Sequence, residues 1–186
     1  MKSHGLFQGK KLITLLIMVS MWITANFNYG MISIFCKHLP GSVFLNYSIS
    51  GLSEILAHVI VGAFFQKLTP RWTFFIGFAF SLCGSISLIF QNSFEDNTPL
   101  IAFFVLLCKF GISMSMCACY VSTPYVFPVM QAGLAFGICN IGGRLFSIAS
   151  PYVAEIKIPT PMICFSIMSI IGLILCLFVS TSEDQE

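Results

Sequence analysis

The sequence is poor in charged residues. Only 9% of its 186 residues are Asp, Glu, Lys or Arg, whereas a soluble domain carries about 25%. Because 57% of the residues are hydrophobic and 20 of them are Phe, the composition excludes a soluble globular domain and indicates a membrane protein. The net charge of +2 is small and no basic run is present, so the sequence predicts no nucleic-acid partner.

The sequence also lacks the motifs of common catalytic and metal sites. It contains no HExxH, GxSxG, P-loop or GxGxxG pattern, and its three histidines are scattered. Seven of the eight cysteines lie in apolar segments, where Cys behaves as a small hydrophobic residue, and only Cys36 falls at a predicted loop edge. Cys117 and Cys119 are separated by one residue, not by the two to four of a zinc site. We therefore predict no enzyme activity, no catalytic residue, no cofactor and no metal.

Six apolar segments are long enough to cross a bilayer as helices, which takes roughly 20 residues. Helices are predicted because an open strand cannot satisfy its backbone in lipid. The sequence thus predicts an all-α membrane protein, a single six-helix transmembrane bundle over residues 1–186. The predicted spans are 12–35, 43–65, 72–90, 100–121, 127–153 and 161–179.

Basic residues in the connections predict the orientation of the bundle in the lipid bilayer. If the amino terminus is cytosolic, only Lys37 and Lys157 lie on the outer side. The inner side then holds Lys2, Lys10, Lys11, Lys67 and Arg71. We therefore expect a multi-pass membrane protein with both termini in the cytosol.

Three ionisable residues lie near the centres of predicted spans: Glu54, Lys109 and Arg144. A charge in hydrocarbon costs at least ~2.5–3.5 kcal/mol, so each must face protein, water or a ligand. Glu54 and Lys109 could form a salt bridge that holds helices together, or they could bind substrate, and the sequence leaves both open. One carboxylate cannot neutralise two cations, so we expect Arg144 to face an anionic ligand.

Polar residues at helical spacing accompany these charges. Asn140, Arg144 and Ser147 share one face of the fifth segment. Such a stripe lines a cavity or pairs across helices. The first segment has a similar stripe of Asn26, Tyr29 and Ser33, the second has His58 one turn after Glu54, and the fourth has Ser113 and Tyr120 with Lys109. Close helix packing is predicted for Gly137, Gly142 and Gly143.

Four short motifs occur in order along the chain. They are NFNY at 26–29, N-x-x-x-S-G-x-x-E at 46–54, KFGIS at 109–113 and an ungapped stretch at 128–152 that ends in SPY. In this order and spacing they resemble the seventh, eighth, tenth and eleventh helices of the organic anion, organic cation and carnitine transporters. These are solute carrier family 22-like members of the major facilitator superfamily. The resemblance covers almost the whole chain and corresponds to the carboxy-terminal half of that fold.

The resemblance implies six transmembrane helices that form half of a major facilitator transporter. In the family, the position of Arg144 faces the central cavity and tends to be Arg in anion carriers and Asp in cation carriers. Glu54 and Lys109 match a family glutamate and a family lysine. The predicted cavity residues are Arg144, Lys109, Glu54, Asn140, Asn26 and Tyr29.

The resemblance also implies a function. It predicts a half-size secondary transporter, or a transporter subunit, for small organic ions and more specifically for organic anions. The expected mechanism is alternating access in the plasma membrane with a second six-helix bundle, since substrate lies between the two halves of this fold. That bundle is expected to be a second copy of the chain or a separate amino-terminal half.

Two cytosolic motifs depart from the family pattern. Residues 66–71 read QKLTPR where the family has D-R-x-G-R-R, and Ala132 stands where the family's E-x-Y-P-T-x-x-R ends in Arg. In the family these charged groups form a latch that stabilises the outward-open state. Their loss favours an alternative, a non-transporting, truncated or degenerate membrane protein that acts as an assembly or docking subunit.

Overall fold

The chain forms a bundle of α-helices. The computed structural model describes residues 9–38, 43–64, 69–90, 98–157 and 159–179, and these contain no β-strand. The helices are α1 (Lys10–Phe35), α2 (Val43–Phe64), α3 (Pro70–Ile89), α4 (Thr98–Val126), α5 (Val129–Ser147), α6 (Ser150–Ala154) and α7 (Thr160–Cys176), with a 3-10 turn, Cys36–His38, after α1. The all-α fold is thereby confirmed. The predicted segment end at Phe65, the 66–68 part of the changed motif and both termini lie outside the described residues.

Four stretches of the described chain are long and apolar enough to cross a membrane. They are Lys11–His38, Pro70–Ile89, Pro99–Val126 and Val129–Ala154. The apolar helix Thr160–Cys176 is shorter, with 17 residues. A six-span arrangement in which α2 and α7 also cross the bilayer stays a prediction.

The fifth predicted segment, 127–153, is not one continuous helix. α5 ends at Ser147 and α6 begins at Ser150, with Ile148 and Ala149 in a turn between them. Pro151 explains the break, because a proline lacks an N–H and its ring clashes with the carbonyl four residues earlier, here Ser147. The polar stripe on α5 therefore ends where the helix does.

Glycines allow α3 to pack closely against α4 and α7. A Cβ added at Gly111 would lie 2.5 Å from the carbonyl oxygen of Gly77 and 2.5 Å from the backbone nitrogen of Ser81. At Gly172, an added Cβ would lie 2.7 Å from the ring of Phe78. A larger residue at Gly111 would push the axes of α3 and α4 apart, whereas one at Gly172 would first displace the Phe78 ring.

α5 packs on α1 through two of the three glycines for which close packing was predicted. A Cβ at Gly143 would lie 2.6 Å from Nδ2 of Asn26, and one at Gly142 would lie 3.1 Å from Cγ1 of Val19. Nothing lies within 4 Å of a Cβ at Gly137. The packing role predicted for Gly137 is therefore wrong, because no other described helix covers that side of α5.

A buried polar layer joins α1, α3 and α7. The side-chain amide of Asn28 donates to the carbonyl of Phe165 at 3.2 Å and to the hydroxyl of Ser169 at 3.0 Å. The hydroxyls of Ser169 and Ser81 are 3.1 Å apart. Although each such bond in a membrane contributes only about 0.6 kcal/mol, together they fix the register of α1 against its neighbours.

Polar contacts at the helix ends show which ends share a side of the bundle. Lys37 forms an ion pair with Glu155, and His38 Nε2 lies 3.7 Å from the same carboxylate, so α1 and α6 end on one side. Arg71 donates to the carbonyl of Val179 at 3.2 Å, so the start of α3 lies beside the residues that follow α7. Both contacts fit helices that alternate in direction, as short connections require.

Candidate functional site

The polar side chains on one face of α1 contact different parts of the bundle. Asn26, Tyr29 and Ser33 are spaced by three and four residues and so line up along this face. Tyr29 and Ser33 contact charged side chains of α2 and α4, whereas Asn26 lies against Gly143 of α5. The predicted cavity residues therefore fall into two groups, and Asn26 belongs to neither.

The first group, here the Lys109 cluster, consists of Tyr29, Ser33, Glu54 and Lys109. The hydroxyl of Tyr29 donates to Glu54 Oε1 at 2.5 Å. Lys109 Nζ lies 3.6 Å from Glu54 Oε2 and donates to the Ser33 hydroxyl at 2.7 Å. The same ammonium lies 3.7 Å from the centroid of the Tyr29 ring, within the range of a cation–π interaction. The opposite charges of this cluster cancel.

Burial differs between the two charged members of the Lys109 cluster. The side chain of Lys109 is 4% exposed and that of Glu54 is 29% exposed. Removing one partner of a buried pair costs about 3–5 kcal/mol, because the other charge is left uncompensated. The ion pair joins α2 to α4, and its carboxylate is more exposed than its ammonium.

The second group lies on α5. Arg144 Nε donates to Asn140 Oδ1 at 3.0 Å, and the hydroxyl of Ser147 donates to the carbonyl of Arg144 at 3.0 Å. Among the described residues, no carboxylate lies within 4.0 Å of the Arg144 side chain. The positive charge of the guanidinium is thus not balanced by a carboxylate in this part of the chain.

Arg144 projects from a face of α5 that the rest of the described chain leaves uncovered. Ile141 is 64% exposed and Leu145 is 61% exposed. This surface, here the exposed α5 face, consists of Val129, Met130, Gly133, Leu134, Ile141, Arg144 and Leu145. A permanent charge on an apolar face requires an aqueous, protein or ligand environment if the helix lies in the bilayer.

Asn26 has a packing position. Its side chain is buried, its amide donates to the carbonyl of Trp22 at 2.8 Å, and it fills the space above Gly143. The ring of Trp22 in turn lies 4.7 Å from that of Tyr120 and 5.2 Å from that of Phe136. Asn26 and Trp22 therefore set how α5, and with it Arg144, sits on α1.

Ser33 belongs to the Lys109 cluster, although the sequence prediction placed it only in a stripe. Its spacing of four residues from Tyr29 was the available signal. His58 is exposed, and its Nδ1 lies 2.7 Å from the backbone carbonyl of Glu54, not from the carboxylate. The Ser113 hydroxyl is buried without a hydrogen-bond partner in the described part of the chain. No group of three or more His, Cys, Asp or Glu there could hold a metal ion.

Comparison with known proteins identifies relatives of this chain. No protein-family model matches it. It is 28% identical over 167 residues to human organic cation/carnitine transporter 2, an alignment of 88% of this chain and 30% of that protein. It is 31% identical over 148 residues to mouse solute carrier family 22 member 4, covering 79% of this chain and 26% of that protein.

A more distant relative extends over nearly the full chain. A putative transporter of Caenorhabditis elegans is 25% identical over 182 residues, 96% of this chain and 36% of that protein. The chain therefore spans about a third of the length of the curated relatives it matches. Two of these relatives are named as transporters and one as a solute carrier, and none is named as an enzyme. Together with the apolar helices, they make this a multi-pass membrane protein. The chain is a relative of the organic cation/carnitine transporters of solute carrier family 22, as the resemblance of its motifs predicted.

Proposed function

We propose that this chain acts as half of a secondary transporter for small organic ions and that it prefers organic anions. The transport role is supported by its relatives, which are named as organic cation/carnitine transporters and members of solute carrier family 22. The observation that carries the anion preference is the guanidinium of Arg144 on α5, which has no carboxylate partner among the described residues. Because the names of the relatives refer to cations and carnitine, this preference is argued from the charges of this chain.

The charge balance of the two clusters supports an anion. Lys109 and Glu54 lie 3.6 Å apart and neutralise one another. Arg144 has an amide partner, Asn140, and no carboxylate partner among the described residues. A guanidinium presents several donors in a fixed planar arrangement that matches a carboxylate. An organic carboxylate is therefore the ligand that this site favours.

The exposed α5 face supports a second six-helix bundle. In major facilitator transporters the substrate lies between two halves, which rock against each other. A second bundle opposite α5 would cover the apolar side chains and enclose Arg144 in a wet cavity. We propose that this partner is another copy of the chain or a separate amino-terminal half.

The proposed location is the plasma membrane with both termini cytosolic. Arg71 lies beside Val179, so a basic residue at the start of α3 marks the side on which the last helix ends. On the other side Lys37 pairs with Glu155, so Lys157 is the cation that stays without a partner in the ion pairs of the described residues there. This distribution agrees with a cytosolic excess of basic residues.

Uptake into proteoliposomes tests this function. The chain is reconstituted alone and with a candidate partner, and uptake of radiolabelled benzoate is compared with that of radiolabelled tetraethylammonium. We expect saturable benzoate uptake that falls about tenfold or more in Arg144→Ala, because a hydrogen bond to a charged group contributes about 1.5–3 kcal/mol. Lys157→Ala, which removes an exposed cation outside the candidate spans, should transport like the wild type.

Two outcomes contradict the proposal. If benzoate uptake equals that of empty vesicles with every partner, the transport function fails and a docking or assembly subunit becomes the better interpretation. If Arg144→Ala transports as well as the wild type, a ligand role for this guanidinium is excluded. The amounts of reconstituted protein are matched by quantitative immunoblotting before rates are compared.

A further inference from the structure

We propose that α3 carries a binding groove for one acyl chain of an anionic glycerophospholipid, whose phosphate contacts Arg71. The groove lies along the candidate span Pro70–Ile89. Its residues belong neither to the Lys109 cluster nor to the exposed α5 face. The binding of a lipid there is therefore independent of the proposed transport function.

The groove is a hollow of about 360 Å³ in the surface of α3. It is lined by Phe75, Ile76, Ala79, Phe80 and Cys83. These residues recur at intervals of three and four, so they lie along one side of the helix. The small side chains of Ala79 and Cys83 leave the space, and the larger rings of Phe75 and Phe80, which are 38% and 43% exposed, border it.

Contacts with neighbouring helices hold the inner edge of the groove in place. The ring of Phe80 lies 6.0 Å from that of Phe110 on α4, at an angle of 78°. Ile76 packs against the small apolar cluster that contains Val61 of α2 and Met114 of α4. Because atoms that line an unfilled hollow lose van der Waals contacts, a flexible apolar chain that fills this groove stabilises it.

The start of α3 carries two residues that suit a phospholipid headgroup. Trp72 is 54% exposed, and its ring lies 5.8 Å from that of Phe75, which places the indole at one end of the groove. Tryptophan is enriched at the membrane–water interface. Arg71 lies one helical turn before Phe75.

The guanidinium of Arg71 can bind a phosphate. It donates one hydrogen bond to the carbonyl of Val179 and takes part in none of the ion pairs between described residues. A guanidinium has five N–H donors, and their planar arrangement matches phosphate oxygens. Its charge favours an anionic lipid over a zwitterionic one.

The length of the groove decides between a lipid chain and a second helix as its occupant. From Trp72 to Cys83, α3 rises by about 16 Å, and one leaflet of the hydrocarbon core is about 15 Å thick. A headgroup at Arg71 would therefore place an acyl chain along the whole groove. A helix with its side chains is about 10–12 Å wide, which is too wide for a hollow between neighbouring side chains of α3.

Fluorescence quenching tests this inference, because the chain has two tryptophans, of which Trp22 is buried and Trp72 is exposed. The purified full chain is reconstituted into vesicles of phosphatidylcholine and phosphatidylglycerol, with bromine on the acyl chains of one lipid at a time. Bromine quenches tryptophan emission on contact, so the two mixtures give the relative binding constant beside Trp72. We expect about a fivefold preference for phosphatidylglycerol. Equal binding of the two lipids overturns the proposal.

Variants test the headgroup contact and the groove separately. Arg71→Gln should abolish the preference, and Arg71→Lys should keep most of it because the charge remains. Ala79→Phe fills the groove and should lower the preference by roughly half or more. Ile86→Phe, on an exposed residue of α3 outside the groove, should match the wild type. The full preference in a folded Arg71→Gln or Ala79→Phe protein overturns the proposal.

Two measurements on the wild type keep the test decisive if a variant does not fold. Raising the NaCl concentration from about 0.05 to about 0.5 M should lower the preference, because salt screens an exposed guanidinium. Excess glycerol phosphate, which has the phosphate without acyl chains, should leave the quenching unchanged. A preference that salt does not alter, or that glycerol phosphate abolishes, overturns a lipid site. None of these measurements involves uptake, so failure of the lipid site and failure of transport are distinguishable.

Discussion

Lys109 and Arg144 are both cations in helices of an apolar bundle, but their charges are stabilised differently. Lys109 has a carboxylate, a hydroxyl and an aromatic ring within 4 Å. Arg144 has one amide partner and lies on an exposed apolar face. The contacts within this chain thus account for the burial of Lys109, whereas Arg144 needs something outside the described helices.

Asn140 is expected to orient Arg144. In Asn140→Ala, the guanidinium loses the acceptor 3.0 Å from its Nε and samples more rotamers. We expect initial rates of benzoate uptake to fall roughly threefold, by less than in Arg144→Ala, because the charge on the side chain remains. Ile174→Ala, at an exposed residue of α7 outside the exposed α5 face, is the control. Uptake by Asn140→Ala at the wild-type rate would show that the amide does not position the charge.

Counting the charged residues in the predicted spans indicated that the positive charge of Arg144 would lack a carboxylate partner. The same count could not decide how Glu54 and Lys109 interact. Depth along a helix follows from sequence position, whereas the rotation of α2 and α4 about their axes depends on packing with α1. The error at Gly137 has the same origin. Spacing shows that Gly137 and Gly143 differ in position along α5, but only the structure shows that α1 covers Gly143 and leaves Gly137 open.

At the scale of elements, the contact between α3 and α4 depends on Gly111. Gly111→Ala would place a Cβ 2.5 Å from two backbone atoms of α3, and backbone cannot move aside as a flexible side chain can. Overpacking of this kind costs typically 1–3 kcal/mol. Gly137→Ala is the matched control, since an added Cβ meets nothing there, and a helix gains about 0.5–1 kcal/mol from this change.

Thermal unfolding in detergent measures the stability of both glycine variants. We expect a lower midpoint for Gly111→Ala and an unchanged or higher midpoint for Gly137→Ala. A Gly111→Ala protein as stable as the wild type would mean that α3 and α4 are not in close backbone contact.

The ion pair between the end of α1 and the end of α6 predicts a pH dependence. The hydrogen bond from Lys37, followed by the charges of Lys37 and His38, lowers the pKa of Glu155 below its ordinary value of 4.5. A lowered carboxyl pKa stabilises the fold above the unfolded-state pKa, and this contribution is lost as the pH falls through the folded-state pKa.

Glu155→Gln is the variant that isolates this contribution. Its melting temperature should lie below that of the wild type at pH 7, and the two should converge as the pH falls below about 4.5. Circular dichroism from pH 7 to about pH 3 gives the comparison. A difference that stays constant over this range would mean that the carboxylate charge does not contribute.

The presence of the helices could be predicted, because six long apolar runs separated by polar turns permit few other structures. The positions at which a helix is interrupted were harder to predict. The break after Ser147 follows from Pro151, a signal that the sequence contains but that the apolar character of the flanking residues conceals. In contrast, α4 continues to Val126 with Pro124 inside it, so a proline alone does not show where a membrane helix ends.

At the scale of the whole molecule, the exposed α5 face predicts association. In detergent solution, multi-angle light scattering should give a protein mass above that of one chain, equal to two copies or to one copy with a partner. Gly133→Trp on this face should reduce the mass to that of one chain, because added bulk prevents close docking.

Ile174→Trp, on the exposed side of α7, is the control for this measurement. This variant introduces the same Trp side chain as Gly133→Trp, but on a helix far from α5 in sequence. We expect it to leave the association unchanged. A wild-type protein that stays a single chain at every concentration, with each candidate partner present, would contradict the proposed second bundle.

The buried layer of Asn28, Ser81 and Ser169 has a consequence for biosynthesis. The ribosome makes α1 before α7, so the amide of Asn28 enters the membrane before Phe165 and Ser169 exist to accept its hydrogen bonds. The nascent α1 must therefore be held by the insertion machinery, or stay in contact with water, until α7 has been made. A premature stop codon upstream of Phe165 would leave the Asn28 amide without both of these hydrogen-bond acceptors. We expect cellular quality control to degrade such a product.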